Sequence, residues 1–378
     1  MVAIPAAFSE IYAQPEGSAG GHQWLIRRIV PIGLRTRFRQ VVAPLSFPRA
    51  VNALRDLIER IHPDLIHAMR IPYEGMIASM AMKRNSGRDG NLRKTALLIS
   101  VWGNDFTLHA RSTPIMSHYT RQALDNCDAL HTDCQRDQRL AVEWGFDANK
   151  PRIVLPGGGG VQMDIFYPPE NIQAADEIRP TTDNVSIKII NPRGFRAYVR
   201  NDTFFHAIPS VIDKIPNVYF VCPGMRGEEQ AHNWVSEMGI GDKVDLLPPQ
   251  TRQQMADLFR SAQISVSITT HDGTPNTLLE ALACGCFPIA GDIESLREWI
   301  TPGVNGLLVD PGDPIGLAEA ILNAISQPEL RKHAKIRNLE LVKERAEYRT
   351  CMRVAEEFYS RLILNKSELN WKNSNAFN

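Results

Sequence analysis

The sequence predicts an α/β protein built as two parallel-sheet halves. Short apolar runs alternate with amphipathic stretches along most of the 378 residues. This is the pattern of β-strands joined by crossover helices. The alternation breaks once, at the proline-rich, polar stretch YPPENIQAADEIRPTTDN (167–184), and then starts afresh at SIKIIN (186–191). Two such halves predict a cleft between them in which a ligand binds.

Each element follows from local pattern. Val51, Leu54, Leu57, Ile58 and Ile61 recur at helical spacing, so 48–61 reads as a helix. DLIHA (64–68) reads as a buried strand, 74–84 as a helix and 95–101 as a strand, with weaker elements up to RIVLP (152–156). In the second half the strands are 186–191, 217–222, 243–247, 263–268 and 286–290. Helices are expected near 203–214, 227–238, 251–260, 275–284, 293–300, 314–326 and 328–346. The domains are then an N-terminal parallel-sheet domain over 1–170, a linker over 171–185 and a C-terminal parallel-sheet domain over 186–350. Residues 351–378 form a C-terminal helix, free to cross back to the first domain, and a polar tail that frays from Lys366.

Composition excludes several classes. Hydrophobic residues are 43% and charged residues 22%, as in ordinary globular proteins. Lys plus Arg and Asp plus Glu are 42 each, which gives no support to a nucleic-acid binder. The 6 cysteines form no C-x-x-C pair, so neither a zinc ribbon nor a thioredoxin-like motif is present, and sparse thiols suit a reducing cytoplasm. The start MVAIPAAFSE lacks a basic n-region, and no apolar run nears the roughly 20 residues of a spanning helix. A cytoplasmic location is expected. No G-x-G-x-x-G follows an early strand, which disfavours a dehydrogenase.

The chemistry is concentrated in HDGTPNTLLEALACG (271–285), which follows a strand and opens a helix. Gly273 permits a tight turn, Thr274 suits the N-cap and Pro275 the first helical position. The amides of Asn276, Thr277 and Leu278 would then lie free at the positive end of the helix dipole, an anion site. Glu280 is within reach of a sugar hydroxyl attached to that anion. The competing reading is a well-capped helix with no ligand. A second element is NPRGFRAYVRN (191–201), just after a strand. A planar guanidinium in such a loop can hold two phosphate oxygens at once.

The run from His271 through Ile321 resembles the nucleotide-sugar signature of retaining GT-B glycosyltransferases, the family that includes sucrose-phosphate synthase and many bacterial polysaccharide enzymes. Its acidic residue, seven-residue gap and glutamate correspond to Asp272 and Glu280. Its E-A-x-A-x-G corresponds to Glu280, Ala281, Ala283 and Gly285, and its later positions to Glu298, Trp299, Ile300 and Asn305 to Pro311. The chain departs at Asp272, where the family usually has glutamate. The resemblance implies the GT-B fold, with two Rossmann-like domains facing across a cleft. It implies a hexosyl transfer with retention from a nucleoside diphosphate sugar, UDP-glucose by family frequency, in polysaccharide or glycolipid biosynthesis. It implies no cofactor and no metal. Arg193 would hold the donor diphosphate, joined by Arg200, with Arg196 as the alternative to Arg200. Glu280 would bind the ribose and Asp272 would orient the hexose.

The first half resembles the family more faintly. Gly20 and Gly21 (GSAGGHQ, 17–23) match the glycine loop near the phosphates, where backbone must approach a ligand closely. His67 matches the first histidine of D-x-x-H-x-H, and Met69 replaces the second. In SVWGNDF (100–106) Trp102 takes a histidine's place and Asp105 is a candidate on the acceptor side. PGGGGVQMDIFYPP (156–169) has Gln162 where aspartate is usual, and its glycines suggest a flexible connection. Arginines at 27, 28, 35, 37, 39, 49, 55 and 60 form either a solvated face or a surface for anionic lipid or a charged acceptor, the lipid case giving peripheral contact with the inner membrane face through 27–60. The expected partners are a nucleotide sugar and a carbohydrate or lipid-linked acceptor. Two rivals remain: a nucleotide-sugar epimerase on the same fold, and a nucleotide-sugar-binding subunit with impaired catalysis.

Overall fold

The computed structural model of the protein describes residues 46–83, 95–169, 187–196 and 198–375, with side chains as far as Lys366. Gly20, Gly21, the linker 171–185 and the arginines before residue 46 lie outside the described residues. The chain divides into two compact units. One takes the chain up to Val154 together with the part from Arg353, and the other is Leu155–Met352.

The first unit runs α1 (Phe47–Ile61), β1 (Leu65–Ala68), a turn of π type (Ile71–Gly75), α2 (Met76–Ala81), β2 (Ala96–Val101), a π-type segment (Asp105–Ala110), α3 (Pro114–Asn126), β3 (Ala129–Thr132), α4 (Gln135–Glu143) and β4 (Arg152–Val154). Its four described strands pair in parallel in the order β1-β2-β3-β4, with Leu65 opposite Ala96 and Leu98 opposite Ala129. β2 is central and apolar throughout, and every residue of it is buried. The helix expected over 74–84 is shorter because the chain kinks at Pro72 and Tyr73, where Tyr73 has φ 71 and ψ −64. That is a strained γ-turn geometry for a residue other than glycine. On α1, Phe47, Ala50, Val51 and Ile58 face inward. Arg55 is committed to the fold, because its Nε donates to the carbonyl of Ala81 (3.1 Å) and Nη2 to that of Met80 (2.9 Å). It caps the last turn of α2, which carries partial negative charge.

The second unit runs β5 (Ile187–Ile190), α5 (Asn201–Lys214), β6 (Val218–Cys222), α6 (Glu229–Glu237), β7 (Val244–Leu246), α7 (Arg252–Ser261), β8 (Ile264–Ser267), α8 (Asn276–Ala283), β9 (Phe287–Gly291), β10 (Leu307–Val309), α9 (Pro314–Ser326) and α10 (Pro328–Arg345). All six strands are parallel, in the order β10-β9-β8-β5-β6-β7. Alternating strand residues feed two cores. Ile187, Ile189, Val266 and Ile289 pack with Phe204 and Phe205 of α5 and Ile321 of α9. Ile190 and Ala290 pack with Phe259 of α7, Leu279 and Leu282 of α8 and Val342 of α10. The helix expected over 293–300 is only the 3₁₀ turn Leu296–Glu298, since Trp299 and Asn305 are drawn into hydrogen bonds with the loops around them.

Residues 155–169 belong with the second unit, not with the first domain where the pattern puts them. Phe166 sits in the α7–α8 core, and Val161 bonds to Ala346 (2.7 Å) and Tyr348 (3.0 Å) through backbone. The last helix, α11, spans Tyr348–Asn375. Its stretch from Arg353 groups with the first unit, where Phe358, Tyr359 and Leu362 cover Leu98 and Ala129. The tail expected to fray from Lys366 continues this helix, and the Lys366 ammonium pairs with Asp128. Among the described residues no helix is long and apolar enough to cross a membrane.

Candidate functional site

The strand order of the second sheet places the site. From β5 the sheet grows one way through β6 and the other way through β8. The chain after β5 turns into α5 on one face, while the chain after β8 turns into α8 on the other. The two loops part at this point, the place at the carboxyl ends of the strands where open α/β sheets take their ligands. Arg193 lies in the loop after β5 and Asp272 in the loop after β8. The structure brings them together: Arg193 Nη2 donates to Asp272 Oδ2 at 2.7 Å, with both side chains largely shielded from solvent. Arg193 Nη1 also reaches Thr277 Oγ1 at 3.4 Å, at the start of α8.

The helix start differs by one residue from the expected one. α8 begins at Asn276 with Pro275 at the N-cap, so Thr274 is not the cap. Thr274 instead accepts a hydrogen bond at Oγ1 from Trp299 Nε1 at 3.0 Å. Gly273 does not take the positive φ of a glycine-only turn, and its amide donates to Asp272 Oδ1 at 3.2 Å. Leu278 is not free for an anion either, because its amide donates to the Pro275 carbonyl at 3.0 Å. Among the described residues, the amides of Asn276 and Thr277 have no protein partner, and they head the helix dipole. Gly285 closes the helix with φ 86, as a left-handed terminator.

Glu280 lies on the first turns of α8, half-buried, and burial pushes its carboxyl up to about 7 against the opposing pull of Arg252. Arg200 is not brought into the Arg193–Asp272 group. Its guanidinium donates to Asp202 through Nε (2.8 and 3.1 Å) and Nη2 (2.7 Å), and these hydrogen bonds hold the Asp202 carboxyl below its usual range. Arg196, the alternative, is exposed and donates to the neighbouring Phe195 carbonyl at 2.8 Å.

Two supporting roles escape the sequence reading, that of Ser295 and that of Trp299, which enters there only as a motif position. Trp299 and Ser295 hold the loop that carries Asp272 and Thr274. The Ser295 hydroxyl donates to the Asp272 carbonyl at 2.7 Å, and the Trp299 ring lies under the Arg345 guanidinium at 4.2 Å. The signal was a tryptophan inside an apolar run, whose N–H needs an acceptor once buried. Gly158 and Gly160, in the glycine run 157–160, also act otherwise than as a flexible connection. A Cβ on Gly158 would lie 2.4 Å from Nδ2 of Asn276, and one on Gly160, at φ 94, would lie 2.3 Å from the Ala346 carbonyl oxygen. These residues are glycine because other chain passes against them.

In the first unit, His67 is packed. Its Nε2 meets Ser100 Oγ at 2.7 Å, Ser100 meets His131 Nδ1 at 2.9 Å, and burial lowers the His67 pKa to about 4. Asp105 is fully buried and tied to Arg70, so it is a fixed strut and does not itself face an acceptor. Asp133, Cys134 and Asp137 gather closely enough to share a cation. Arg136 supplies that charge, donating to Asp137 Oδ1 from Nε (3.0 Å) and Nη2 (2.8 Å).

Comparison with known proteins gives the following. A family model for glycosyl transferases group 1 matches residues 179–339, and one for a glycosyl transferase 4-like domain matches residues 10–157. The D-inositol 3-phosphate glycosyltransferase of Geodermatophilus obscurus is 25% identical over 229 residues, covering 56% of this chain and 50% of the relative. That of Mycolicibacterium smegmatis is 25% identical over 226 residues, covering 58% and 50%. The chain thus spans about half the length of the curated relatives it matches. Among solved structures, sucrose-phosphate synthase from Thermosynechococcus elongatus superposes with a TM-score of 0.69 at 17% identity, over 85% of this chain and 79% of that one. HepE of Anabaena, in complex with UDP and glucose, superposes with a TM-score of 0.64 at 15% identity, over 91% and 90%.

Proposed function

Because the chain belongs to the group 1 glycosyltransferases, with two parallel-sheet units of the GT-B type, we propose that it moves a hexose from a nucleoside diphosphate sugar to an acceptor hydroxyl. The observation that carries this is the meeting of Arg193, Asp272 and the start of α8 at the switch point of the second sheet. UDP-glucose is the donor to test first. The acceptor is a carbohydrate or lipid-linked intermediate of polysaccharide or glycolipid synthesis. The curated relatives, by name, act on an inositol phosphate.

In this reading the diphosphate takes the place of the Asp272 carboxylate on Arg193 and meets the amides of Asn276 and Thr277. Arg200, or Arg196 in its stead, completes the positive frame. Glu280 accepts from the ribose diol, and Asp272, released, orients the hexose. Charge grows on the leaving diphosphate as the anomeric C–O bond breaks, and the guanidinium and helix dipole stabilise it without a metal. The acceptor oxygen bonds to the anomeric carbon on the face the diphosphate leaves, so configuration is retained. The acceptor proton passes to a diphosphate oxygen. Peripheral membrane contact through 27–60 rests on its arginines, of which Arg55 is already spent on α2.

Calorimetry with UDP and UDP-glucose tests the donor assignment. We expect binding by the native protein and its loss in Glu280→Ala. Equal affinity in the two would remove the assignment. Thermal shifts across a panel of nucleoside diphosphates would identify the base, since a ligand of the folded state raises its melting temperature.

A further inference from the structure

The donor reading leaves one constructed surface of the first unit unused. β1 and β2 lie side by side, and just past their carboxyl ends stand Met69, 47% exposed, and Trp102, 42% exposed. An indole this open adds little to a core. It is nevertheless held in place with care. The buried Asp105 carboxylate accepts from Arg70 Nη2 (2.6 Å) and Nε (3.2 Å), from the Ile71 amide (3.2 Å) and from the Trp102 amide (3.1 Å). One carboxylate therefore ties the loop after β1 to the loop after β2. Arg70 is further fixed by Asn104 Oδ1 (2.8 Å), and its guanidinium lies over the Trp102 ring, 5.2 Å from the centroid. The strained Tyr73 sits in the same loop, and such strain collects at functional sites.

We propose that Trp102, fixed by the Arg70–Asp105 pair, is the platform on which an uncharged ring of the acceptor, a pyranose or a cyclitol, stacks. This rests on the glycosyl-transfer reading above and names the acceptor class for it. Ring C–H groups are electron-poor, and the π face of an indole is electron-rich. The carboxyl edge of a parallel sheet is where such ligands come to rest. The charges of Arg70 and Asp105 compensate each other, so a phosphate gains no net attraction at this place. Met69 has no proton to exchange, so the subsite asks for shape and apolar contact and not for acid–base chemistry.

The test uses the full chain labelled with 5-fluorotryptophan, with the Trp102 resonance assigned from Trp102→Phe. Methyl α-D-glucopyranoside, methyl α-D-mannopyranoside and myo-inositol are titrated separately, with inorganic phosphate and myo-inositol 1-phosphate as charged probes. We expect at least one neutral ring to move the Trp102 signal. Saturation transfer to that ring should survive in Trp102→Phe and fall about tenfold in Trp102→Ala, the size of a lost aromatic stack. No movement with any neutral ring, undiminished transfer in Trp102→Ala, or response to the charged probes alone would each overturn the proposal. UDP affinity, measured beside it, reports separately on the donor site and confirms that the variants fold. Its absence from the native protein would sink the donor reading, while the ring titration would still decide the platform.

Discussion

Arg193 and Asp272 join the two loops that part at the switch point of the second sheet, through a 2.7 Å contact between guanidinium and carboxylate. The arginine is thereby held, before any ligand arrives, at the mouth of α8, beside Thr277. A phosphate binding there replaces one anionic partner with another. Arg193→Ala should lower turnover more than about tenfold, as loss of a charged transition-state donor does. Asp272→Asn should tighten UDP binding, by removing the competing carboxylate, and yet slow hexose transfer. Calorimetry and a coupled nucleotide-release assay read the two effects apart. Tighter UDP binding without slower transfer would take Asp272 out of sugar orientation.

Glu280 gives a pH prediction. Its carboxyl is raised by burial to about 7, so it is half protonated near neutrality. Ribose hydroxyls donate best to the ionised form, so UDP affinity should rise as pH climbs from 6 to 8 and level off above. Glu280→Gln should flatten that rise. The linkage for folding has the opposite sign. The folded pKa lies above the unfolded value of 4.5, so the folded protein holds the proton more tightly, and this group's share of stability falls as pH rises from about 4.5 to 7. A UDP affinity independent of pH would separate Glu280 from the ribose.

Trp299 acts through Thr274, as a positioning residue. Trp299→Phe keeps the ring under Arg345 and removes only the N–H at 3.0 Å from Thr274 Oγ1. Loss of one such bond costs about 1 kcal/mol. The expected result is a severalfold higher KM for the donor with kcat within about twofold, measured at saturating acceptor. A matched fall in kcat would assign it a role in the transition state itself.

Gly160 tests the packing of the 157–160 segment. Gly160→Ala places a Cβ where the Ala346 carbonyl oxygen stands, at a φ of 94 that disfavours any side chain. Thermal or urea unfolding should show a loss of about 2 kcal/mol or more. Gly224→Ala makes the comparison: it also has positive φ, but open space around it, and should lose about 1 kcal/mol.

Most of the strands were legible because parallel strands buried on both faces leave continuous apolar runs such as Ala96–Val101. Helix α8 was legible because Pro275 and Gly285 punctuate it. Its register was one residue off, since Thr274 is claimed by a tryptophan 25 positions away, and no local rule carries that information. The pairing of Arg200 was not legible for a related reason: Asp202, two residues on, holds it, and spacing alone cannot weigh that partner against a phosphate. Gly158 and Gly160 read as slack because a sequence shows the absent side chain and not the neighbour that stands in its place. The missed strand Leu307–Val309 has three residues, too few for a period to show.

The helix that closes the chain carries a cost at synthesis. Leu98 and Ala129 are made early, but Phe358 and Leu362, which cover them, leave the ribosome more than two hundred residues later. Until then the sheet of the first unit presents an oily face to solvent while the second unit, whose residues are contiguous, is free to fold. The nascent chain must therefore fold its middle before it completes its beginning, and in that interval the uncovered sheet is the natural target for a chaperone.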